Sequence, residues 1–252
     1  MMAEFEYVEE IDSTNNELKR RYEVDPPGEY TVLSAGTQTA GRGRSGHQWS
    51  SPEGTSIATS MIFYPKDVPT EALSRLTLLS ALAVSRAVEE VTGLPTEIKW
   101  PNDVLVHGKK ICGILTELKA AAGKAEYVVV GIGVNVYMES FPEELSEIAT
   151  SLFLEGGAHL SRRAITESIW KHFLELYEVF LQSADLSGLR AEYNAKLVNR
   201  DRQVRVLDPA GEYEATARGI DETGRLVVIT TFSEERHIDS GEVSVRGIYG
   251  YT

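Results

Sequence analysis

Arg42 and Arg44 stand between glycines in the stretch GRGRSGHQW, residues 41–49. Glycine lets a backbone pass close around a ligand, and arginine offers a planar charged fork matched to phosphate and carboxylate. Each charge-assisted hydrogen bond of that kind contributes roughly 1.5–3 kcal/mol. The glycines also satisfy GxGxxG, but a dinucleotide turn needs a helix opening at its glycines and an acidic residue about 20 positions later. No helical pattern opens here; SSPEGTSIATSMIFYP follows, turn residues and then a strand. The loop therefore reads as an anion-binding segment, with a solvated turn carrying incidental arginines as the alternative.

Further along, KWPNDVLV joins a cation, an aromatic ring, a rigid proline and two polar acceptors. Lys99 can meet a phosphate or carboxylate, Trp100 can pack on a planar group, and Asn102 or Asp103 can position a ribose or Mg²⁺. A Pro-Asn-Asp turn beside a core tryptophan explains the same pattern. In GKKICGILTE, Lys109 and Lys110 enter an alternating strand, where edge lysines that discourage aggregation are the plainer reading. Cys112 has no histidine partner in the sequence and reads as a small core residue. GIGVNV allows close backbone approach beside Asn135, or marks a strand bulge.

Elements that must position these groups follow from periodicity. YVEEIDSTNNELKRRYEV reads as a strand and then a helix, with Thr14 and Glu17 in capping-box spacing and Leu18 and Tyr22 on one face. EYTVLSAGTQTA is a strand leading into the Gly-rich loop. Residues 70–91 form an Ala- and Leu-rich helix stopping near Gly93 and Pro95, and apolar positions Ile165, Ile169, Phe173, Leu176 and Phe180 predict a helix over 161–198. Strands joined by tight turns at Asn102-Asp103, Gly108 and Gly123 build a central sheet. After a boundary near 199–201, short strands separated by turns predict a small β-barrel. Helix-rich and strand-rich regions without regular βαβ alternation predict an α+β fold.

The chain has 252 residues and 42% hydrophobic content, enough for a large domain or a large domain plus a small one. Its 25 Lys and Arg against 38 Asp and Glu leave a net charge of −13, which argues against a general nucleic-acid binder, so an anionic ligand must meet a local basic cluster. A single cysteine argues against a disulfide framework, and His47, His107, His159, His172 and His237 are too dispersed for a zinc motif. The N-terminal stretch lacks a leader-like pattern, and the expected compartment is the cytoplasm, with no membrane partner.

IDSTNNEL, TQTAGRGRSGHQW, KWPNDVLVHGKKICGIL, GIGVNV and GEVSVRG, in this order, resemble the biotin protein ligase family, the biotin–[acetyl-CoA-carboxylase] ligases, over nearly the whole chain. With no helix-turn-helix before the first motif, the likeness is to the shorter, monofunctional type, without DNA as a partner. The resemblance implies an α+β catalytic domain related to class II aminoacyl-tRNA synthetases with a mixed central sheet (1–199) and an SH3-like barrel (200–252). It implies activation of biotin by ATP with Mg²⁺ to biotinyl-5′-AMP and pyrophosphate, then transfer to a lysine of a biotin carboxyl carrier domain. Arg42, Arg44 and Lys110 would be catalytic, Lys110 at the biotin carboxylate and adenylate bridge. Ser13, Thr14, Asn15, Gln38, Gly41, Arg42, Lys110 and Gly113 would bind biotin, Asn15 also serving to cap the helix. Arg44, His47, Trp49, Lys99, Asn102 and Asn135 would meet ATP or the adenylate, and Asp103 would be the metal-linked carboxylate. A homodimer is the expected assembly.

Two positions depart from the family's commonest loop. His47 stands where an arginine follows the third glycine, and Ser45 replaces a residue that is arginine in some members. Arg42 and Arg44 then carry most of the phosphate contact, His47 adding to it mainly below neutrality. A lipoate ligase of the same superfamily and a non-catalytic biotin or adenylate sensor are the competing readings. Retention of three cations argues for catalysis, since binding the biotin head group alone does not need them.

Overall fold

A computed structural model describes residues 1–50, 52–157, 160–208, 211–240, 244–247 and 251; His159 and the Gly-Glu-Val opening of the late motif (241–243) lie outside the described residues. The chain starts with strand β1 (Glu4–Ile11) and helix α1 (Thr14–Val24). The capping box expected at Thr14 is displaced by one residue: Ser13 is the N-cap, its hydroxyl accepting from Asn16 N at 3.5 Å. Thr14 Oγ1 is engaged instead by Gln38 and Ser60, and Glu17 pairs with Arg20 and Arg21.

Strands β2 (Thr31–Gln38) and β3 (Ser56–Phe63) flank the Gly-rich loop, which makes only a 3-10 turn at Arg44–Gly46, so no α-helix opens at its glycines. The helix expected over 70–91 begins as a 3-10 segment, Thr70–Arg75, before α2 (Leu76–Thr92). It stops at Gly93, whose φ of 72° suits a residue without a Cβ. Strands β4 (Glu97–Lys99), β5 (Asp103–Val106), β6 (Lys109–Ala121) and β7 (Lys124–Asn135) follow. His107-Gly108 and Ala122-Gly123 turn the last two hairpins with positive φ at both positions, the geometry that matches strand twist.

The helix expected over 161–198 is two helices, α3 (Arg162–Leu181) and α4 (Arg190–Lys196). Between them Ala184 takes φ 54°, and Asp185 Oδ1 accepts from Ser183 Oγ, Ser187 N and Ser187 Oγ. Side chains of this kind offer the backbone a turn in competition with the helix.

The first sheet has the order β1-β2-β3-β7-β6-β5-β4, with β1 and β2 parallel and the other pairs antiparallel. One face is covered by α2 and α3, whose Leu79, Leu82, Ile169 and Phe173 share a core with β-residues such as Phe63, Val128 and Val130. Along β3 and β7 alternate residues turn to the other face, where Leu18 of α1 packs on Leu33, Ile62, Tyr127 and Val129. Strands β8 (Gln203–Leu207), β9 (Tyr213–Ile220), β10 (Leu226–Thr230), β11 (Glu235–Ile238) and β12 (Ser244–Gly247) form a second, antiparallel sheet in the order β11-β10-β9-β8-β12. The expected α+β architecture is borne out, and the second sheet is consistent with a small SH3-like barrel.

The two sheets share one apolar core, with Leu78 and Trp100 in the same cluster as Val204, Ala217 and Leu226. Trp100 is the core tryptophan of the plainer reading, its Nε1 donating to Gly224 O at 3.0 Å. Arg75 reaches across to the carbonyl of Thr223 at 3.0 Å. Among the described residues no helix is long and apolar enough to cross a membrane.

Candidate functional site

A single register row crosses the first sheet. Ala35 pairs with Ala58, Ala58 with Gly133, Gly133 with Gly113, Gly113 with Asp103, and Asp103 with Lys99. Directly paired residues point to the same face, so the α1 side of the sheet carries a trough floored by alanine and glycine that ends at an aspartate and a lysine. Trp49, from the end of the Gly-rich loop, lies on that floor. A Cβ on Gly133 would stand 2.5 Å from the indole and one on Gly113 3.1 Å from it, so these glycines make room for the ring. Trp49 Nε1 is buried with no hydrogen-bond partner among the described residues.

At one end of the trough neutral groups form a chain. Gln38 Oε1 accepts from Thr14 N at 2.8 Å and Thr14 Oγ1 at 3.1 Å, and Thr14 Oγ1 lies 2.7 Å from Ser60 Oγ. Ser60 Oγ donates to Asn15 Oδ1 at 2.6 Å, and Asn15 Nδ2 donates to Glu117 at 2.8 Å. Gly131 lies under Asn15, where an added Cβ would come within 2.2 Å of Oδ1. Glu117 also takes Lys19 at 2.8 Å and Arg42 at 3.0 Å. Burial alone would raise its carboxyl, but bonds from Lys19 and Asn15 and the charges of Lys19 and Arg42 hold it below the usual range. Ser13, Thr14 and Asn15 are all buried.

The other end is cationic. Lys110 Nζ lies 2.6 Å from Asp103 Oδ1, and Asp103 Oδ2 accepts from Tyr251 Oη. Lys99, 7% exposed, places Nζ 3.3 Å from the centroid of the Tyr251 ring. Burial lowers the Lys99 ammonium to about 8, opposed by Asp103 and assisted by the charges of Lys110 and Arg246. Arg44 donates to Asn102 Oδ1 at 2.9 Å and to the Ser240 carbonyl, and its guanidinium is lowered from the ordinary value by desolvation. Asn102 Nδ2 in turn donates to Asp103 Oδ1 at 3.1 Å.

Arg42 and Arg44, two residues apart, are thus sent to opposite ends. The loop holds itself in a narrow hairpin: Gly43 N donates to His47 O at 2.7 Å and Trp49 N to Gly41 O at 3.0 Å. A Cβ on Gly41 would meet Trp49 O at 2.3 Å. His47 is exposed beside this turn. Asn135 Nδ2 donates to Thr150 O at 3.1 Å, and Thr150 N donates to the Lys110 carbonyl at 2.9 Å; Lys109 reaches Ser146 O at 2.9 Å. Cys112 is fully buried and its thiol is pushed up by desolvation, as a core residue.

Sequence reading passed over Ser60, Glu117, Ser240 and Tyr251. Glu117 carried a signal, since in GILTE it falls on the same face as Gly113 and Leu115 by strand alternation. Nothing in the sequence marks Ser240 or Tyr251, which reach the cluster only through packing of the second sheet. Among the described residues no group of three or more His, Cys, Asp or Glu side chains is placed to hold a metal ion.

Residues 7–135 match the model of the biotin/lipoate A/B protein ligase family, and residues 201–246 that of the biotin protein ligase C-terminal domain. The chain is 36% identical over 226 residues to the bifunctional ligase/repressor BirA of Bacillus spizizenii, covering 89% of this chain and 69% of that protein. It is 36% identical to the biotin–[acetyl-CoA-carboxylase] ligase of Mycobacterium tuberculosis, covering 88% of this chain and 82% of that protein. A structure of the biotin protein ligase of Aquifex aeolicus with biotin and ATP superposes with a TM-score of 0.84 at 31% identity, covering 96% of this chain and 98% of that one.

Proposed function

The chain belongs to the biotin protein ligase family, and from that premise we infer that it is an ATP-dependent biotin ligase whose two substrates meet along the alanine–glycine trough. The observation that carries this reading is the register row itself. It joins a neutral hydrogen-bonding pocket to a cluster of cations by a floor on which an apolar ligand with one polar head and one anionic tail can lie. Biotin has that shape and that polarity.

In this reading the ureido edge meets the Thr14, Asn15 and Gln38 end, assisted by Ser13 and the backbone at Gly41. The bicycle and its chain lie over Gly133 and Gly113, where Trp49 now rests, so binding lifts the indole to become the roof. Lys110 receives the carboxylate. Arg44 and Lys99 receive the phosphates of ATP, Asn102 and Asn135 line the nucleotide side, and His47 stands exposed at the loop tip. Arg42, held by Glu117, serves the biotin end.

The carboxylate oxygen attacks the α-phosphorus, the bond to the bridging oxygen breaks, and pyrophosphate leaves with biotinyl-5′-AMP remaining. Two anions must approach each other for this, and preorganised cations offset their repulsion and the charge that develops on phosphorus. A carrier-domain lysine amine then attacks the anhydride carbonyl, giving the amide and AMP. Mg²⁺ is commonly held by one or two carboxylates together with substrate phosphates; Asp103 is the carboxylate that would hold it, in exchange for its contacts with Lys110 and Tyr251, and the ion would neutralise phosphate charge. Ordering of the Gly-rich loop over the adenylate excludes water that would hydrolyse it.

We divide the chain into a catalytic unit, 1–199, and a barrel, 200–252, on the change from the mixed sheet to the antiparallel one. The test is pyrophosphate release with Mg-ATP and either biotin or lipoate, followed by the mass of a biotin carboxyl carrier domain added afterwards. Biotin-dependent pyrophosphate and a carrier gain of one biotin are expected. Turnover with lipoate alone assigns the sister activity, and binding without pyrophosphate assigns a sensor.

A further inference from the structure

Resting on the ligase reading, the structure assigns to Glu117 a positioning role that no sequence motif indicated. A carboxylate accepts hydrogen bonds and donates none, so Asn15 must present its nitrogen to Glu117 at 2.8 Å; the same nitrogen meets the Leu115 carbonyl at 3.4 Å. The amide orientation is thereby set, and Asn15 Oδ1 becomes an acceptor. Ser60 has one proton, and the 2.6 Å bond to Asn15 Oδ1 uses it. The single Thr14 hydroxyl proton is then shared between two acceptors, Ser60 Oγ at 2.7 Å and Gln38 Oε1 at 3.1 Å. Gln38 Oε1 is in turn oriented by the Thr14 backbone N–H at 2.8 Å, which turns Gln38 Nε2 towards Gly41.

We propose that Glu117 sets the direction of the relay through Asn15 and Ser60 to the Thr14 hydroxyl and so makes the pocket select a ureido group over an analogue of opposite hydrogen-bond polarity. Lys19 at 2.8 Å and Arg42 at 3.0 Å hold the carboxylate in place. The relay ties α1, β3 and β6 together, so a change of direction at Glu117 is felt at Asn15, Ser60 and the Thr14 hydroxyl without any movement of the backbone, while Gln38 stays fixed by the Thr14 N–H. A purely structural acid would support the pocket for any ligand alike; a polarity-setting acid discriminates between ligands of equal shape.

Calorimetric titration with biotin and with 2-iminobiotin, which carries an imino N–H in place of the ureido oxygen, separates the two roles without requiring turnover. In Glu117→Gln, whose amide can donate as well as accept, biotin affinity is expected to fall about tenfold or more while 2-iminobiotin changes by less than about threefold. KM for ATP stays within about twofold of the wild type, since the cation end is untouched. Ser60→Ala interrupts the same relay without changing charge and is expected to narrow the same ratio. Equal losses for both ligands, or an unaltered biotin-to-iminobiotin ratio in both variants, overturn the proposal while leaving the ligase reading intact. A wild-type protein that binds no biotin overturns both.

Discussion

At the Thr14 end of the trough, side chains of α1, β2, β3 and β6 satisfy one another, and most of them are neutral and buried. At the Lys110 end Arg44, Lys99 and Lys110 gather around the carboxylate of Asp103, and two of their partners, Ser240 and Tyr251, come from beyond residue 200. The first arrangement is a finished hydrogen-bond network, preorganised for a neutral polar group. Among the described residues the second carries more positive charge than its carboxylate balances, and Lys99 holds its proton against burial. Excess buried charge costs stability, and an anionic ligand relieves that cost by completing the ion pairs. Recognition and electrostatic chemistry are therefore separated along one row of small residues.

Removing Lys110 should break the comparison most severely. Lys110→Ala is expected to lower kcat/KM for pyrophosphate release roughly 10²–10³-fold, as loss of a transition-state charge partner does. Biotin affinity should fall as well, by about tenfold through the lost contact to the carboxylate, and calorimetry beside the kinetic assay checks the split. At the other end, Gly131→Ala drives a Cβ to within 2.2 Å of Asn15 Oδ1. Biotin affinity should fall about 10–100-fold through displacement of that amide, with KM for ATP nearly unchanged.

Tyr251→Phe keeps the ring beneath Lys99 and removes the donor to Asp103, so KM for ATP should rise about three- to tenfold while biotin affinity holds. An equal effect on biotin would dissolve the proposed division. The smallest effect concerns pH. Lys99 loses its proton at about 8 in the folded protein against 10.5 ordinarily. Raising pH from 8 to 10.5 deprotonates it in the folded state first, so the unfolded chain binds more protons and this residue's contribution to stability grows with pH. KM for ATP should rise over the same window by a few-fold as the cation is lost. Thermal unfolding and ATP kinetics on wild type and Lys99→Met would show those opposite trends, flattened in the variant.

Much of the chain was legible because local rules govern it. The turns at Gly108 and Gly123, the helix stop at Gly93 and the Gly-rich loop each follow from residue chemistry over a few positions. Where local signals compete, the winner depended on distant contacts: Ser13 caps α1 because Thr14 is drawn to Gln38 and Ser60. Helix 161–198 breaks because the Asp185 turn competes with continued helix while Leu186 and Leu189 are buried in the core.

Sequence by itself determined which residues could recognise a polar head, screen an anion or leave a floor bare, because those are properties of side-chain type. Tertiary structure alone decided that Ala35, Ala58, Gly133, Gly113, Asp103 and Lys99 fall in one row, since strand register is set by pairings far apart in the chain. It also decided that Arg42 and Arg44 part company, one to Glu117 and one to Asn102 and Ser240, and that Tyr251 comes to lie against Lys99. Packing two sheets on a shared core brings such groups together, and no spacing along the chain records it.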